Sequence, residues 1–340
     1  MFAAADDVAL LRAMLGGEPR IEVANESPYR VGEQSTLLVR LLRARAGLVH
    51  FPHYNLPLAF PGRSVVTIHD LFSYRFPEIH SGWFPRRVNR LLISNAVRRA
   101  SAIITPSRAT ATDVASRFPH ARERIVPIAE AADGRFEALR NPPGEAAWQR
   151  YFGIRPPYFL YLGQWKAYKN VPLVIEAFGR IAAQRPNVQL VIAGHDPRHP
   201  EVLAAASRLP QGSAVLPGHL PDDAIADLYR GAVAVVMASR AEGFGLPVLE
   251  AMACGVTVVC SDIPVLRELA DGVAIFCDPD SAASFAAGMV GAMDAAPEDP
   301  RIRRGIERAR LYSWRAAAEE TVRIYERLLA GRPSTRSETD

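Results

Sequence analysis

The stretch "VAVVMASRAEGFGLPVLEAMACGVTVVCSD", residues 233–262, decides how the chain is to be read. An apolar run at Ala234–Met237 is followed by a glycine-bearing bend, a helix-patterned segment stopped by Gly255, and a second β-branched run at Val256–Val259. Strand, bend, helix and strand in that order make a βαβ unit, and such units assemble into parallel sheets. Pro247 suits a first helical position, because the N–H it lacks would have no intrahelical partner there. The helix is therefore predicted to start near Pro247, with Glu250 in its first turn.

The same alternation recurs on both sides of this stretch. Strands are predicted at Leu48–His50, Val65–His69, Ala102–Thr105 and Ile125–Ile128. A second set follows at Tyr158–Leu162, Gln189–Ala193, Ala214–Leu216 and, around the opening stretch, Ala234–Met237, Val256–Val259 and Ala274–Phe276. Between the sets, residues 141–157 carry Pro142, Pro143, Gly144, Pro156 and Pro157, the composition of a linker. The expectation is an α/β fold of two doubly wound, Rossmann-like domains facing each other across a cleft. They are an N-terminal domain at 1–140 and a C-terminal domain at 158–310, with a terminal helix at 311–330 that could lie back on either one.

Composition excludes several classes. No run approaches the eighteen or so consecutive apolar residues a spanning helix needs, and the N-terminus carries acids where a signal peptide carries basic residues. The three cysteines, Cys254, Cys260 and Cys277, form neither an even framework nor a CxxC pair, so they read as small buried thiols of a cytoplasmic protein. A net charge of +4 and a pI near 9.1 point to an anionic partner, which charge alone leaves open among nucleic acid, lipid surface and phosphorylated small molecule. The run "RIRRGIERARLYSWR" is interrupted by Glu307 and has no nucleic-acid module beside it, so a solvated helix face is the reading preferred there. His195 and His199 stand four apart, but Pro197 and Pro200 argue against a helix that would bring them to one metal. Trp83 and Phe84 beside Arg86, Arg87, Arg90, Arg98 and Arg99 could lie on an anionic membrane, against the plainer reading of a solvated arginine face.

Ligands of open α/β sheets bind at the carboxyl ends of the strands, where loops meet helix N-termini with free N–H groups. Gly243 and Gly245 let the bend approach a ligand closely, and the helix that follows offers a site for an anion such as a diphosphate. A carboxylate beside that anion would repel it, so Glu242 and Glu250, eight residues apart, suit neutral hydroxyls. Glu250 fits a ribose and Glu242 a sugar linked through the diphosphate. The plainer alternative is a helix-start acid paired with the dipole.

The segment resembles the E-x7-E segment of retaining glycosyltransferases of family 4, which have the two-domain GT-B fold. The likeness runs from about Leu48 to Leu329 and is most specific over Gly218–Ala270. It implies that Glu250 holds the nucleotide ribose, that Glu242 contacts the donor sugar, and that the amides of Phe244, Gly245 and Leu246 face sugar and phosphate. "YLGQWKAYKN" is similar to the segment in which a lysine grips the donor diphosphate, here Lys169, close behind Gly163. Gln164 stands where many members have an arginine, and Lys166 is the nearest replacement cation. "VVTIHDL" resembles the strand whose terminal histidine, His69, reaches the donor sugar, and "PGHLPDD" the loop that reads the base through the backbone of His219 and Leu220. "VHFPHYNLPL" and "ITPSRAT" place His53, Tyr54 and Ser107 near the cleft on the acceptor side. The start, "MFAAADDVALLRAML", looks like material after the family's first strand, loop and helix, so the N-terminal domain is expected to lack that first βα unit.

The resemblance thus implies a hexosyltransferase that moves a sugar, with mannose favoured, from a GDP- or UDP-type nucleotide sugar to a glycan or lipid-linked acceptor. It implies retention at the anomeric carbon, no cofactor and no metal. His69, Glu242 and Lys169 stand nearest the reaction, with no enzyme nucleophile. The cysteine usage makes it cytoplasmic, with peripheral contact at the inner face of the membrane left open, and the interrupted charge run gives no nucleic-acid partner. The alternatives are a non-catalytic subunit that binds a sugar nucleotide, motivated by the absent first unit, and a different enzyme on the same fold.

Overall fold

The computed structural model describes residues 2–3, 8, 21–23, 33–76, 83–138, 152–194, 196, 198–295 and 299–330. Most of the linker expected at 141–157 lies outside them, as do His195, Pro197 and the side chains of Trp83 and Phe84. Two short strands, β1 (Phe2–Ala3) and β2 (Glu22–Val23), pair in parallel ahead of the first predicted strand. Two residues carry no readable period, which is why the sequence pattern begins at Leu48.

The N-terminal half runs through α1 (Leu38–Ala44), β3 (Val49–Phe51), β4 (Ser64–Thr67), α2 (Phe72–Arg75) and α3 (Trp83–Arg99). It continues with β5 (Ala102–Thr105), α4 (Arg108–Arg117) and β6 (Ile125–Pro127), and its parallel sheet has the order β3-β4-β5-β6. The C-terminal half begins with β7 (Tyr158–Leu162), α5 (Val171–Ala182), β8 (Gln189–Ala193), α6 (Pro200–Ala206), β9 (Ala214–Gly218) and α7 (Asp222–Arg230). It continues with β10 (Ala234–Met237), α8 (Leu246–Ala253), β11 (Thr257–Ser261), α9 (Pro264–Ala270), β12 (Ile275–Cys277), α10 (Ala282–Met293), α11 (Pro300–Ala309) and α12 (Trp314–Ala330). The expected α/β fold of two Rossmann-like parallel sheets is the one the chain adopts.

Both faces of each sheet are buried, so the strands are continuous apolar runs rather than alternating ones. In β10, Val235 and Met237 enter the core on one face while Ala234 and Val236 enter the core on the other. The three cysteines are buried free thiols, and burial pushes Cys277 up to about 11 and Cys254 up to about 12, which keeps them unreactive. The terminal helix α12 crosses to the N-terminal sheet. Ile324 packs with Val65, Ile104 and Ile128, Tyr325 meets His50, and Arg63 donates to the carbonyl of Leu328 at 2.7 Å. Burial of Ile324 contributes about 1.5–3 kcal/mol to holding it there.

The six-stranded sheet has the order β12-β11-β10-β7-β8-β9. The chain leaves its centre at β7, winds to the β9 edge, and returns to the other side at β10. Neighbouring β7 and β10 therefore diverge in their onward connections, and the crevice beyond their carboxyl ends is where such a sheet receives ligands.

Candidate active site

The segments after β7 and β10 supply Lys169 and Glu242, and the fold brings the two together. Lys169 closes a short 3₁₀ turn, Ala167–Lys169, held by Asn170 in the left-handed region (φ 55°) with its side-chain amide donating to the carbonyl of Pro279 at 3.0 Å. Its ammonium donates to both carboxylate oxygens of Glu242, at 2.8 and 3.0 Å. The side chains are 17% and 7% exposed, so the pair is largely withdrawn from water. Lys166 and Lys169 both stand over the ring of Tyr168, at 6.0 and 5.6 Å from its centroid. Gly163 lies at the end of β7 with its N–H on the carbonyl of Ala193.

Beyond Glu242 the bend turns at Gly245, whose φ of 102° disfavours any side chain and whose carbonyl accepts from Val248 and Leu249. This carbonyl starts α8 at Leu246, one residue ahead of the predicted start, so Glu250 sits in the second turn rather than the first. With Val248 and Leu249 bonded to Gly245 and Pro247 lacking an N–H, the N–H of Leu246 is the one at the start of α8 that has no intrahelical partner. Phe244 directs its ring away from the bend, edge-on to Tyr312 at 5.8 Å. The carboxylate of Glu250 accepts from the hydroxyl of Tyr229 at 2.7 Å, and burial raises its pKa above the usual carboxylate range. His219 and Leu220 follow β9 directly, His219 exposed and Leu220 buried.

Among the N-terminal residues, His69 follows β4 and has two acceptors around its ring: Glu130 Oε1, 3.1 Å from Nδ1, and the carbonyl of Pro52, 3.0 Å from Nε2. Both nitrogens must carry hydrogen to satisfy them, which favours the imidazolium. The Glu130 bond accordingly raises the pKa of His69. His53 stacks beside it, ring centroids 6.3 Å apart. Tyr54 points the other way: it is buried in the N-terminal core, and Asn89 donates to its hydroxyl at 2.7 Å.

Ser107 is the N-cap of α4, and its hydroxyl also spans the two halves. The carbonyl of Gly243 accepts from the hydroxyls of Ser107 and Thr110, at 2.8 and 2.9 Å. Glu268 of α9 completes the contact, accepting from the backbone N–H groups of Arg108 and Ala109 at 2.9 Å each. Phe72 and Phe76 pack against Tyr168 with ring centroids 4.6 and 5.7 Å away. Sequence reasoning missed Thr110, Glu268, Tyr229 and this aromatic contact. The nearest signal was the resemblance that put Ser107 near the cleft; a serine after a strand can mark a helix start, but it does not record what packs on that helix. Arg75, Thr110, Asp113, Arg240 and Glu242 line a cavity of about 200 Å³ between the two halves.

The sequence matches the family of glycosyl transferases group 1 over residues 148–308 and Glycosyltransferase Family 4 over residues 7–134. The two matches take in both sheets, and the chain belongs to these glycosyltransferases, with the GT-B fold. It is 28% identical over 287 residues to the O-antigen chain mannosyltransferase B of Escherichia coli, covering 83% of this chain and 74% of that one. Among solved structures it superposes on the sucrose-phosphate synthase of Thermosynechococcus elongatus with a TM-score of 0.72 at 21% identity, over 90% of this chain and 81% of that one. It also superposes on Anabaena HepE, solved in complex with UDP-glucose, with a TM-score of 0.71 at 19% identity, over 96% and 90% of the two chains.

Proposed function

We propose that this glycosyltransferase moves a mannosyl group from a nucleotide-diphosphate sugar to a glycan or lipid-linked acceptor, with retention at the anomeric carbon and without a resident metal. The observation that carries the reading is the joining of Lys169 and Glu242 at the switch point of the C-terminal sheet. Lys169, with Lys166 near it, takes the donor diphosphate and neutralises the charge that grows as it leaves. Glu242 orients the hydroxyls of the sugar, and Glu250 those of the ribose, each hydrogen bond to a charged acceptor contributing about 1.5–3 kcal/mol. The amides of Phe244, Gly245 and Leu246 face sugar and phosphate, the backbone of His219 and Leu220 reads the base, and His69, with His53 beside it, borders the reacting carbon from the N-terminal half. The mannosyl donor is supported by the name of the Escherichia coli relative, and a nucleotide sugar by the UDP-glucose in the HepE structure.

A thermal-shift series over UDP-, GDP- and ADP-sugars tests this. One of them, GDP-mannose on this reading, is expected to raise the melting temperature and to release its nucleoside diphosphate when a mannosylated glycan is supplied. A flat series together with no release overturns the proposal.

Peripheral contact with anionic membrane is part of the same proposal. Among the described residues no helix is long and apolar enough to cross a membrane. On α3, Arg87, Leu91 and Arg98 are exposed and share one face at helical spacing. Co-sedimentation with vesicles containing anionic lipid is expected to weaken as salt is added and on replacing Arg87 and Arg98 with glutamate. Binding indifferent to both removes membrane contact from the reading.

A further inference from the structure

Tyr229 lies on the inward face of α7, fully buried, with Phe136 edge-on to its ring at 5.6 Å. A phenol hydroxyl in such a place needs a partner, since an unpaired one costs about 1–3 kcal/mol. Its partner is Glu250 Oε2 at 2.7 Å, while Glu250 Oε1 has no hydrogen-bond donor among the described residues. A glutamate on a helix is otherwise free to rotate, and fixing such a side chain costs up to about 1.5–2 kcal/mol of rotamer freedom.

We propose that Tyr229 is a positioning residue: its hydroxyl fixes the carboxylate of Glu250 with Oε2 turned inward, leaving Oε1 to receive the paired hydroxyls of a nucleotide ribose. This role rests on the reading of Glu250 as the ribose acid. Burial holds Tyr229 far above the usual phenol range, so the donor proton is present at every working pH.

The groups that face Glu250 are Tyr229 from α7, Arg135 and Asp133 from the segment after β6, and Cys254, which caps the end of its own helix. Burial raises the pKa of Glu250, whereas the Tyr229 bond and the Arg135 charge lower it. Loss of the hydroxyl therefore raises that pKa further, and the anionic form that ribose hydroxyls require gives way to the acid at a higher pH.

The test is calorimetry with whichever of UDP, GDP or ADP the wild-type protein binds most tightly, between pH 5 and 8, on Tyr229→Phe, Glu250→Gln and the double variant. Tyr229→Phe keeps the ring and removes one oxygen. It is expected to weaken binding about tenfold, the loss of one hydrogen bond to a charged group, and to move the acid limb of binding upward. It should also raise the donor KM with kcat at saturation unchanged. In the Glu250→Gln background the same change is expected to add nothing, because the two act as one unit. Unchanged affinity and an unmoved acid limb in Tyr229→Phe, with only the melting temperature lowered, overturn the role. If Glu250→Gln binds as the wild type does, or if the wild type binds none of the three nucleotides, the ribose reading fails and takes this inference with it. If Glu250→Gln loses affinity and Tyr229→Phe does not, only the positioning role fails.

Discussion

Replacing Lys169 with alanine is expected to reduce sugar transfer by about two to three powers of ten, the effect of removing one fixed donor from developing transition-state charge. A diphosphate leaves with negative charge that water would otherwise have to solvate, and a cation already held at the strand end needs no reorganisation when that charge appears. Lys169 meets the condition, held by a short turn and by two bonds to Glu242. The same two bonds complicate the experiment. With Lys169 gone, Glu242, 7% exposed, is left as an uncompensated carboxylate, and breaking a buried pair from one side costs up to about 3–5 kcal/mol. The double variant Lys169→Ala with Glu242→Gln separates the two effects: stability is expected to recover while transfer stays low. Turnover near that of the wild type in Lys169→Ala would sink the role.

The second large effect is expected at Gly243. A methyl group there would stand 2.2 Å from the carbonyl oxygen of His69 and 3.2 Å from its carbon, and both atoms are backbone that cannot rotate away. The bend and the N-terminal half must then part by about 1 Å, a misplacement that can lower rate about a hundredfold. The hydroxyls of Ser107 and Thr110 would lose their grip on the Gly243 carbonyl in the same movement. Gly243→Ala is therefore expected to lower kcat/KM about a hundredfold. Wild-type kinetics in this variant would mean that the contact between the halves is irrelevant to transfer.

The fold was largely readable from the pattern of the chain. A parallel strand covered on both faces must be a short apolar run bounded by turn residues, and Tyr158–Leu162, Gln189–Ala193 and Ala234–Met237 were found at their observed bounds for that reason. Ala102–Thr105 was found at its bounds as well; the remaining strands shifted by a residue or more, because a run's end depends on its neighbour: β11 extends to Ser261 through its pairing with Cys277 of β12. The site was readable only in outline. Lys169 and Glu242 both follow predicted strands, but that they share a bond across 73 residues of sequence follows from the pairing of β7 with β10. Tyr54 lies beyond the end of β3, where the strand period no longer sets direction, and its side chain is buried in the core with Asn89 on its hydroxyl.

By itself, then, the sequence determined which segments are strands and helices, that the strands lie in parallel, and which polar residues stand at their carboxyl ends. These depend on local spacing and on what each residue's backbone allows. Only the tertiary structure decided that α12 returns to the N-terminal sheet, that Tyr229 holds Glu250, and that Glu268, Ser107 and Thr110 join the two halves around Gly243. Those contacts depend on where a side chain's hydrogen-bonding atoms point once the sheets are packed, and periodicity records burial without recording the partner.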